Sequence, residues 1–582
     1  MGSICGILCS SASHQLPKHI QDMLHTMQHH RPAAGEVWTD LAAGIGLGQN
    51  RYSFNTFQKN NLHIAVAGHV NPHDVSILDE IDLTRKKDFF ASLKGTISLA
   101  VWDADQNELL LSRDKFGERS LYYWLDANRQ TLVFASDIKA ILAHPAVEPE
   151  LDLESLPVYL AIGYLPGPRT LYKNIRKLLP SQCLQWQPGR APSINLYWTL
   201  PPFGEGIRNK DEYIRLIKEK FLEGLAQAVD GRQSAGVFLS GGLDSSLVVA
   251  GLREIGVSNI CTLTFGVQMP AVSESKNADL YYAKLVSQQF NTQHHEIVFG
   301  PDHPLTDKLP EVVGHYGDLI MSPNSYNKYF LVEVAHRLGL ELILTGSSAS
   351  ATSSNFSNAR KRRRLDRKTK GCQTDGERYL AMRNRLFPFS IQEKLLNVPL
   401  SIDQQKIFAM LDSYFDHIHA SDFFRRYYFS RNLMHYPEKT FKMTDVIGNI
   451  FGMDIYVSNS YSPLVEAGTH LPEAFEGPQP HPQLKIELFK AISSIHPKET
   501  FERQRSGFPI YYWQNGELKP FEKLLLQTEF SPDIRLFNPN MVQEIMEEDR
   551  HSTAKSAGKR TWAMHQFALW HEIHVKRNAR FL

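Results

Sequence analysis

The chain has 582 residues and a mass of 66.3 kDa, with 42% hydrophobic and 21% charged residues. This length predicts more than one domain, and this composition excludes a disordered or fibrous chain. Sixty-three Lys and Arg against 62 Asp and Glu leave a net charge of +1, so no global field attracts nucleic acid or a membrane surface. Five scattered cysteines predict reduced thiols and a cytoplasmic location, not a disulfide framework. No apolar run approaches the roughly 18 residues of a membrane span.

The first 140 residues predict a mostly antiparallel α+β sandwich, because short β-like runs alternate with Gly, Asn and Asp turns. The predicted strands are Ile4–Leu8, Ile45–Leu47, Leu62–Val66, Thr96–Trp102, Glu108–Ser112, Leu121–Trp124 and Leu132–Ala135. One helical pattern covers Leu16–Met27. A Pro- and Gly-rich stretch, Leu200–Gly206, places the domain boundary near residue 205, giving domains 1–205 and 206–582.

From residue 210 onward, strands alternate with helices. The predicted strands are Gly236–Leu239, Ile260–Phe265, His295–Val298 and Leu340–Leu344, and the predicted helices are Tyr213–Ala228, Ser245–Ile255, Ala278–Phe290 and Asn327–Leu338. This order is typical of a parallel, doubly wound α/β sheet with its ligand site at the carboxyl ends of the strands. Beyond about residue 375 the pattern is mostly helical.

A basic run, Arg360–Lys370, holds eight Lys and Arg residues in eleven positions. Such a run indicates either a patch for an anionic partner, including a nuclear-type signal, or a solvated surface loop. We favour the solvated loop, because charge runs usually have no other role.

The strongest local signal is the segment from Leu239 to Ser246, which follows a predicted strand and opens a predicted helix. Glycines let the backbone approach an anion, hydroxyls add donors, and the helix start favours negative charge. The candidate phosphate-binding residues are Leu239, Ser240, Gly241, Gly242, Asp244, Ser245 and Ser246. Asp244 is also the candidate Mg²⁺ ligand. The alternative is a helix N-terminus that Asp244 or Ser245 merely caps.

This segment resembles the SGGxDS pyrophosphate loop of the ATP pyrophosphatases. Its surroundings are similar to the asparagine synthetase family, in motifs at residues 109–123, 134–141, 159–169, 262–267, 452–455 and 503–508. The resemblance implies a class II glutamine amidotransferase domain with an Ntn-hydrolase-like fold, followed by an ATP-pyrophosphatase-type synthetase domain. It also implies ATP as a substrate and Mg²⁺ as a cofactor.

The resemblance also implies an N-terminal Cys nucleophile for the glutaminase, and this chain carries Gly2 there. The nearest thiol, Cys5, would need cleavage after Ile4 to free its amine. Ala67 replaces the family's oxyanion-stabilising Asn, although Arg51 matches the substrate-clamping Arg. We therefore expect no glutaminase activity.

The synthetase motifs are changed as well. In the second acidic loop of the family, Gly346 is kept, but Ser347 replaces a Glu and Ser350 replaces an Mg²⁺-binding Asp. Arg505 stands at the position of a catalytic Lys, where it keeps the charge but not the shape. The acids that could compensate, each otherwise expected to be a solvated or capping carboxylate, are Glu274, Asp279 and Asp318.

Three functions remain open. The first is an ATP-dependent amide-forming ligase that resembles β-lactam synthetases and lasso-peptide cyclases and joins a carboxylate to an amine not taken from glutamine. The second is a pseudoenzyme that binds nucleotide or a partner protein, and the third is a glutamine-hydrolysing asparagine synthetase. We favour the ligase, because the phosphate loop keeps every element. A homodimer is a further expectation, whereas a nucleic acid or membrane partner is not expected.

Overall fold

A computed structural model describes most of the chain. The described residues are 2–10, 14–27, 35–50, 61–70, 72–79, 81–128, 130–204, 206–207, 209–268, 278–300, 307–347, 359–383, 386–398, 402–420, 422–471, 483–495, 499–500, 518–531, 534–551 and 558–578. Every structural statement below refers to these residues.

The N-terminal part contains two antiparallel sheets. The six-stranded sheet has the order β2 (Glu36–Asp40), β3 (Ile45–Gln49), β1 (Ile4–Cys9), β8 (Thr131–Ala135), β7 (Tyr122–Asp126) and β9 (Ile175–Lys177). The five-stranded sheet has the order β11 (Ser193–Leu196), β10 (Gln182–Trp186), β6 (Glu108–Ser112), β5 (Thr96–Asp103) and β4 (Leu62–His69). Apolar side chains from both sheets, including Leu47 and Trp102, form one buried cluster between them. The predicted antiparallel sandwich is confirmed.

Short helices cover the outer faces of this sandwich. They are α1 (Leu16–Thr26), α2 (Pro72–Asp79), α3 (Lys86–Ser92) and α4 (Ile138–Leu142), whereas α5 (Leu156–Ile162) packs against the helical C-terminal part. Helix α1 packs on β1 and β3, where Gly46 and Gly48 leave room for Ile20, while Phe90 of α3 covers the other sheet. The strands β2, β9 and β11 were not predicted, because they are short or half-exposed and carry a weak apolar pattern. Strand β10, five residues long and mostly buried, was also missed.

The third sheet is parallel throughout, with the order β14 (Gln293–Phe299), β13 (Asn259–Val267), β12 (Ser234–Phe238), β15 (Leu342–Thr345) and β16 (Asp454–Val457). Its flanking helices include α6 (Lys210–Val229), α7 (Leu243–Glu254), α8 (Ala278–Phe290), α9 (Leu309–His315) and α10 (Pro323–Arg337). The predicted α/β sheet is confirmed, and its central strands are almost completely buried.

The C-terminal part is helical, as predicted, apart from β16 and the hairpin β17 (Glu529–Ser531) and β18 (Ile534–Arg535). Its helices are α11 (Ala359–Lys368), α12 (Asp375–Arg383), α13 (Phe389–Leu395), α14 (Gln404–Phe415), α15 (Phe423–Leu433), α16 (Lys442–Phe451), α17 (Ser462–Gly468), α18 (Gln483–Ile492), α19 (Lys519–Gln527), α20 (Pro539–His551) and α21 (Lys559–Trp570). Two π-helical turns, Tyr436–Phe441 and His571–Val575, adjoin α16 and α21. None of the described helices combines the length and apolarity needed to cross a membrane.

The basic run does not form the loop that we favoured. Most of it lies in α11, because Arg and Lys have high helix propensity and Leu365 supplies one buried anchor. Arg362 lies over the Phe424 ring at 4.7 Å, and Arg363, Arg364 and Arg367 are exposed.

The two halves share buried structure. Every residue of α5 is buried, and Tyr159 of this helix packs against Phe567 of α21. An interdomain ion cluster, defined here as Arg113, Lys177, Asp318, Glu438 and Lys442, is also buried. Lys177 Nζ lies 2.5 Å from Glu438 Oε2, Arg113 Nη1 lies 3.3 Å from Glu438 Oε1, and Lys442 pairs with Asp318. Charged side chains therefore join the halves without access to water.

Candidate functional site

The candidate phosphate loop lies at the carboxyl edge of the parallel sheet, where the sequence predicted it. The loop runs from the end of β12 to the start of α7. The Leu239 amide donates to the carbonyl of Leu263 on β13 (2.9 Å), and Gly346 follows β15 on the other side. The loop therefore occupies the central crevice where parallel sheets bind ligands.

Hydroxyl groups fix the shape of this loop. The Ser245 hydroxyl donates to the carbonyl of Gly242 (3.0 Å), and the Ser240 amide donates to Ser245 Oγ (3.2 Å). The Gly242 amide donates to Ser240 Oγ at 3.3 Å. These bonds hold the backbone of the loop in one conformation before any ligand binds.

Capping alone does not explain the segment. Helix α7 begins after Gly242, and no side chain caps it. The Ser246 amide donates to the carbonyl of Gly242 (3.0 Å), so it belongs to the helix, and Ser246 Oγ is buried without a hydrogen-bond partner. The amides of Leu243, Asp244 and Ser245 precede the first intrahelical donor, so these first-turn groups can face an anion.

At two positions, the backbone of a neighbouring element comes so close that only glycine fits. Gly241 has φ +65°, and a Cβ there would lie 2.3 Å from the carbonyl carbon of Tyr282 in α8. A Cβ at Gly346 would lie 2.6 Å from the carbonyl carbon of Asp244 and 2.7 Å from the amide nitrogen of Ser245. The loop is therefore wedged between α8 and the end of β15.

The sequence reasoning missed one residue of this site. Lys485 of α18 forms an ion pair with Asp244 and is 2% exposed. No local motif marks this lysine, because it lies 241 residues from its partner. A buried ammonium group therefore stands beside the carboxylate that we expected to bind Mg²⁺.

The second loop carries no carboxylate at the predicted position. Ser347 Oγ lies 3.0 Å from Thr345 Oγ1, and the Asn459 side chain donates to the carbonyls of Gly346 (3.0 Å) and Ser347 (3.4 Å). No group of three or more His, Cys, Asp or Glu residues in the described part of the chain could hold a metal ion. These residues suit the phosphates of a nucleotide, but a single lysine-paired carboxylate is a poor Mg²⁺ site.

The three acids considered as substitutes have different outcomes. Asp279 lies in the first turn of α8 and is half-buried. Asp318 is neither solvated nor capping, because it is 4% exposed and paired with Lys442 in the interdomain ion cluster. Glu274 lies outside the described residues, as do Ser350, Arg505 and Arg51.

In the glutaminase half, the described residues at the candidate site present no exposed thiol. Gly2 forms a β-bridge with Gly68, and Ala67 is buried in β4. Cys5 is fully buried within β1, and burial raises the pKa of its thiol. A buried, neutral thiol within a strand is typical of a structural side chain.

Comparison with known proteins agrees with this architecture. Residues 77–198 match the family model of the glutamine amidotransferase domain, and residues 216–572 match that of asparagine synthase. The chain therefore belongs to the asparagine synthetase family, as the sequence motifs predicted.

Individual relatives are distant. Asparagine synthetase [glutamine-hydrolyzing] 1 of Bacillus subtilis is 21% identical over 93% of this chain and 85% of its own length. Putative asparagine synthetase [glutamine-hydrolyzing] 2 of Methanocaldococcus jannaschii is 31% identical over 36% of this chain and 40% of its own length. Among solved structures, the glutamine PRPP amidotransferase from B. subtilis superimposes with 12% identity and a TM-score of 0.24, covering 59% of this chain and 81% of its own.

Proposed function

We propose that this protein is an ATP-dependent amide-forming ligase whose glutaminase activity has been lost. The observation that carries the proposal is the preformed loop between β12 and α7, wedged against α8 and Gly346. In the proposed reaction, a carboxylate oxygen attacks the α-phosphorus of ATP, and the α–β phosphoanhydride bond breaks to release pyrophosphate. An amine then attacks the acyl carbon, AMP leaves, and the proton lost by nitrogen passes to solvent.

Each residue of the loop has a proposed part in holding ATP. The amides of Leu243 to Ser245 and the hydroxyl of Ser240 would bind the pyrophosphate moiety of ATP, with Leu239, Gly241, Gly242 and Ser246 shaping the loop. Lys485 would offset the negative charge of these phosphates and of Asp244. Arg505, by resemblance to the family motif, would stabilise charge in the amide-forming step.

Loss of the glutaminase rests on the geometry around β1. Cleavage after Ile4 would expose the amine of Cys5, but the Ile4 amide donates to Ser136 Oγ (3.1 Å) and its carbonyl accepts from the Ser136 amide (2.9 Å). Cleavage would remove these bonds, and Cys5, which is fully buried and pairs with β3 and β8, would have to leave the sheet to meet a substrate. The amine consumed by the ligase would come from a substrate other than glutamine.

The test is release of AMP and pyrophosphate from ATP in the presence of a panel of carboxylic acids and amines. Acid-dependent release by the native chain, and its loss in Asp244→Ala, would support the ligase. No release with any acid would contradict it.

The pseudoenzyme remains a second candidate, favoured by the Asp244–Lys485 ion pair and by Ser347, since together they leave one neutralised carboxylate. It predicts ATP binding without turnover. The third candidate, a glutamine-hydrolysing asparagine synthetase, is suggested by the names of the relatives. Glutamate release from glutamine would establish that activity and overturn our interpretation of Gly2.

Three further expectations stay proposals. The domain boundary near residue 205 falls between the two matched ranges, 77–198 and 216–572. A cytoplasmic location agrees with five free thiols at Cys5, Cys9, Cys183, Cys261 and Cys372. We also propose that the chain forms a homodimer or binds a partner protein.

A further inference from the structure

A cluster of basic side chains lies in the helical part, apart from the residues of the phosphate loop. We define the basic pocket as Arg383 at the end of α12, Arg431 in the last turn of α15, and His435 and Lys439 at the π-helical turn Tyr436–Phe441. All four side chains are half-buried. The turn leads into α16, whose N-terminus lies towards the carboxyl edge of the parallel sheet because β16 follows it.

Aromatic residues line the pocket. The His435 ring lies 5.3 Å from the Tyr164 ring, and the Tyr164 and Tyr379 hydroxyls are 2.6 Å apart. The Arg383 guanidinium carbon lies 5.9 Å from the centre of the Tyr379 ring. Among the described residues, Tyr164 and Tyr379 therefore give the basic pocket hydroxyl groups and ring faces, which carry no negative charge.

The positive charges have no carboxylate partner. Within the described part of the chain, no Asp or Glu lies within 4.0 Å of the cationic groups of Arg383, Arg431 or Lys439. Arg383 Nε and Nη2, Arg431 Nε and His435 Nδ1 are buried atoms without a hydrogen-bond partner. The one carboxylate on the same turn, Glu438, faces Lys177 and Arg113 instead.

Burial and mutual repulsion both act on this pocket. Burial, with the charges of Arg383 and Lys559, lowers the pKa of Lys439 to about 8. Burial, with Arg383, Arg431 and Lys439, lowers the pKa of His435 well below its usual range. The negative ends of α12 and α15 offset part of the charge of Arg383 and Arg431, but Lys439 has no such helix end. Buried donors without hydrogen-bond partners and neighbouring like charges both destabilise the folded state, unless a bound anion accepts the hydrogen bonds and neutralises the charges.

We propose that the basic pocket binds the phosphate or carboxylate group of a small molecule. Arginine side chains present paired donors that match both groups, and Lys439 adds a point charge. The ligand would sit between the ends of α12 and α15 and the π-helical turn, against Tyr164 and Tyr379. This site does not require the proposed ligase activity.

The test measures the melting temperature of the full chain with inorganic phosphate or citrate, against chloride at equal ionic strength. We expect at least one anion to raise the melting temperature by several degrees, as for a ligand that binds only the folded state. A response to phosphate alone or to citrate alone identifies the group. No response to either anion would overturn the proposal.

Variants locate the response. In Lys439→Met and Arg383→Met the anion response should disappear, while the melting temperature in chloride stays equal or rises because an unneutralised charge has gone. Lys406→Met is the matched control, since this lysine is 81% exposed, and it should respond as the native chain does. Asp244→Ala should also keep the response, and its loss there would move the anion to the phosphate loop. If Lys439→Met keeps the response, or if both pocket variants unfold in chloride, these residues serve the fold and the proposal is wrong.

Discussion

At the scale of single residues, the Asp244–Lys485 pair sets the net charge that the proposed nucleotide site presents to the phosphates of ATP. Lys485 is almost completely buried, whereas the Asp244 side chain is 28% exposed at the mouth of the loop. Without Mg²⁺, the ammonium group is the cation that offsets this carboxylate where phosphates would bind. A buried ammonium group therefore lies beside the carboxylate that we propose as an Mg²⁺ ligand.

This arrangement predicts the behaviour of Lys485→Met. Mg²⁺-free ATP binding should weaken by about ten-fold or more, because Asp244 then repels the phosphates. Mg²⁺ should restore part of the affinity, since the freed carboxylate can bind the ion. Calorimetric titration with and without Mg²⁺ measures both effects, with Lys406→Met as the exposed control. Equal weakening under both conditions would contradict this role.

Glu118 is a buried acid between the two halves. Burial, and next the neighbouring Asp114, raise the pKa of Glu118, while the hydrogen bond from Ser460 and the charge of Arg119 lower it less. Ser460 Oγ lies 2.7 Å from Glu118 Oε2 and 2.7 Å from the carbonyl of Val457. The Ser460 hydroxyl is the donor to both oxygens, so it links Glu118 of the N-terminal half to the end of β16 in the other half.

The raised pKa of Glu118 predicts that the folded chain becomes less stable as the pH rises. As pH rises above the ordinary pKa of a glutamic acid, the unfolded chain loses this proton while the folded chain keeps it. The free energy of unfolding therefore decreases until the pH passes the pKa of Glu118 in the folded chain. Glu118→Gln keeps an oxygen that accepts from Ser460 and cannot ionise. Its melting temperature should equal the native value at pH 5 and exceed it by about 2 °C or more at pH 8. Parallel pH profiles for the two proteins would contradict this account.

At the scale of elements, the end of β15 positions the start of α7. The backbone at Gly346 approaches Asp244 so closely that no Cβ fits. Gly346→Ala should therefore displace the phosphate loop and weaken ATP binding about ten-fold or more. Gly300→Ala is the control, because a Cβ there meets no atom within 4 Å. ATP titration of both variants checks this, and unchanged affinity in Gly346→Ala would show that the loop tolerates the shift.

Several elements were predictable from local pattern alone. Strand β6 and helix α8 have the bounds that the sequence predicted, because alternation and helical periodicity are clear in both. Strand β16 was missed because four residues carry too little periodicity, and α11 was taken for a loop because its charges concealed its helix propensity.

The candidate site likewise has a part that the sequence predicted and a part that only the fold reveals. The phosphate loop is a contiguous segment, so its place at the end of β12 followed from the sequence. The Lys485 contact and the basic pocket join distant segments, so only the fold brings them together. Asp318 was assigned a solvated or capping role because its partner, Lys442, lies 124 residues away in the sequence.

At the scale of the whole molecule, the interdomain ion cluster fixes the two halves to each other. Glu438 serves both Lys177 and Arg113, so its removal leaves buried cations short of a partner. Breaking such a pair from one side typically costs about 3–5 kcal/mol. Glu438→Gln should therefore lower the melting temperature and speed proteolysis between the halves.

Glu150→Gln provides the comparison. Glu150 pairs with Lys173 at 2.7 Å, but both side chains are more than half exposed, so the substitution should change the melting temperature very little. Equal effects of the two substitutions, by calorimetry and limited proteolysis, would mean that the buried cluster does not hold the halves together.

We propose a working nucleotide site in a chain that has lost its glutaminase activity. The most direct measurement is a calorimetric titration of the native chain and of Asp244→Ala with ATP, with and without Mg²⁺. We expect saturable ATP binding by the native chain, and Asp244→Ala should abolish any part of that affinity that depends on Mg²⁺. No binding by the native chain under either condition would contradict the claim.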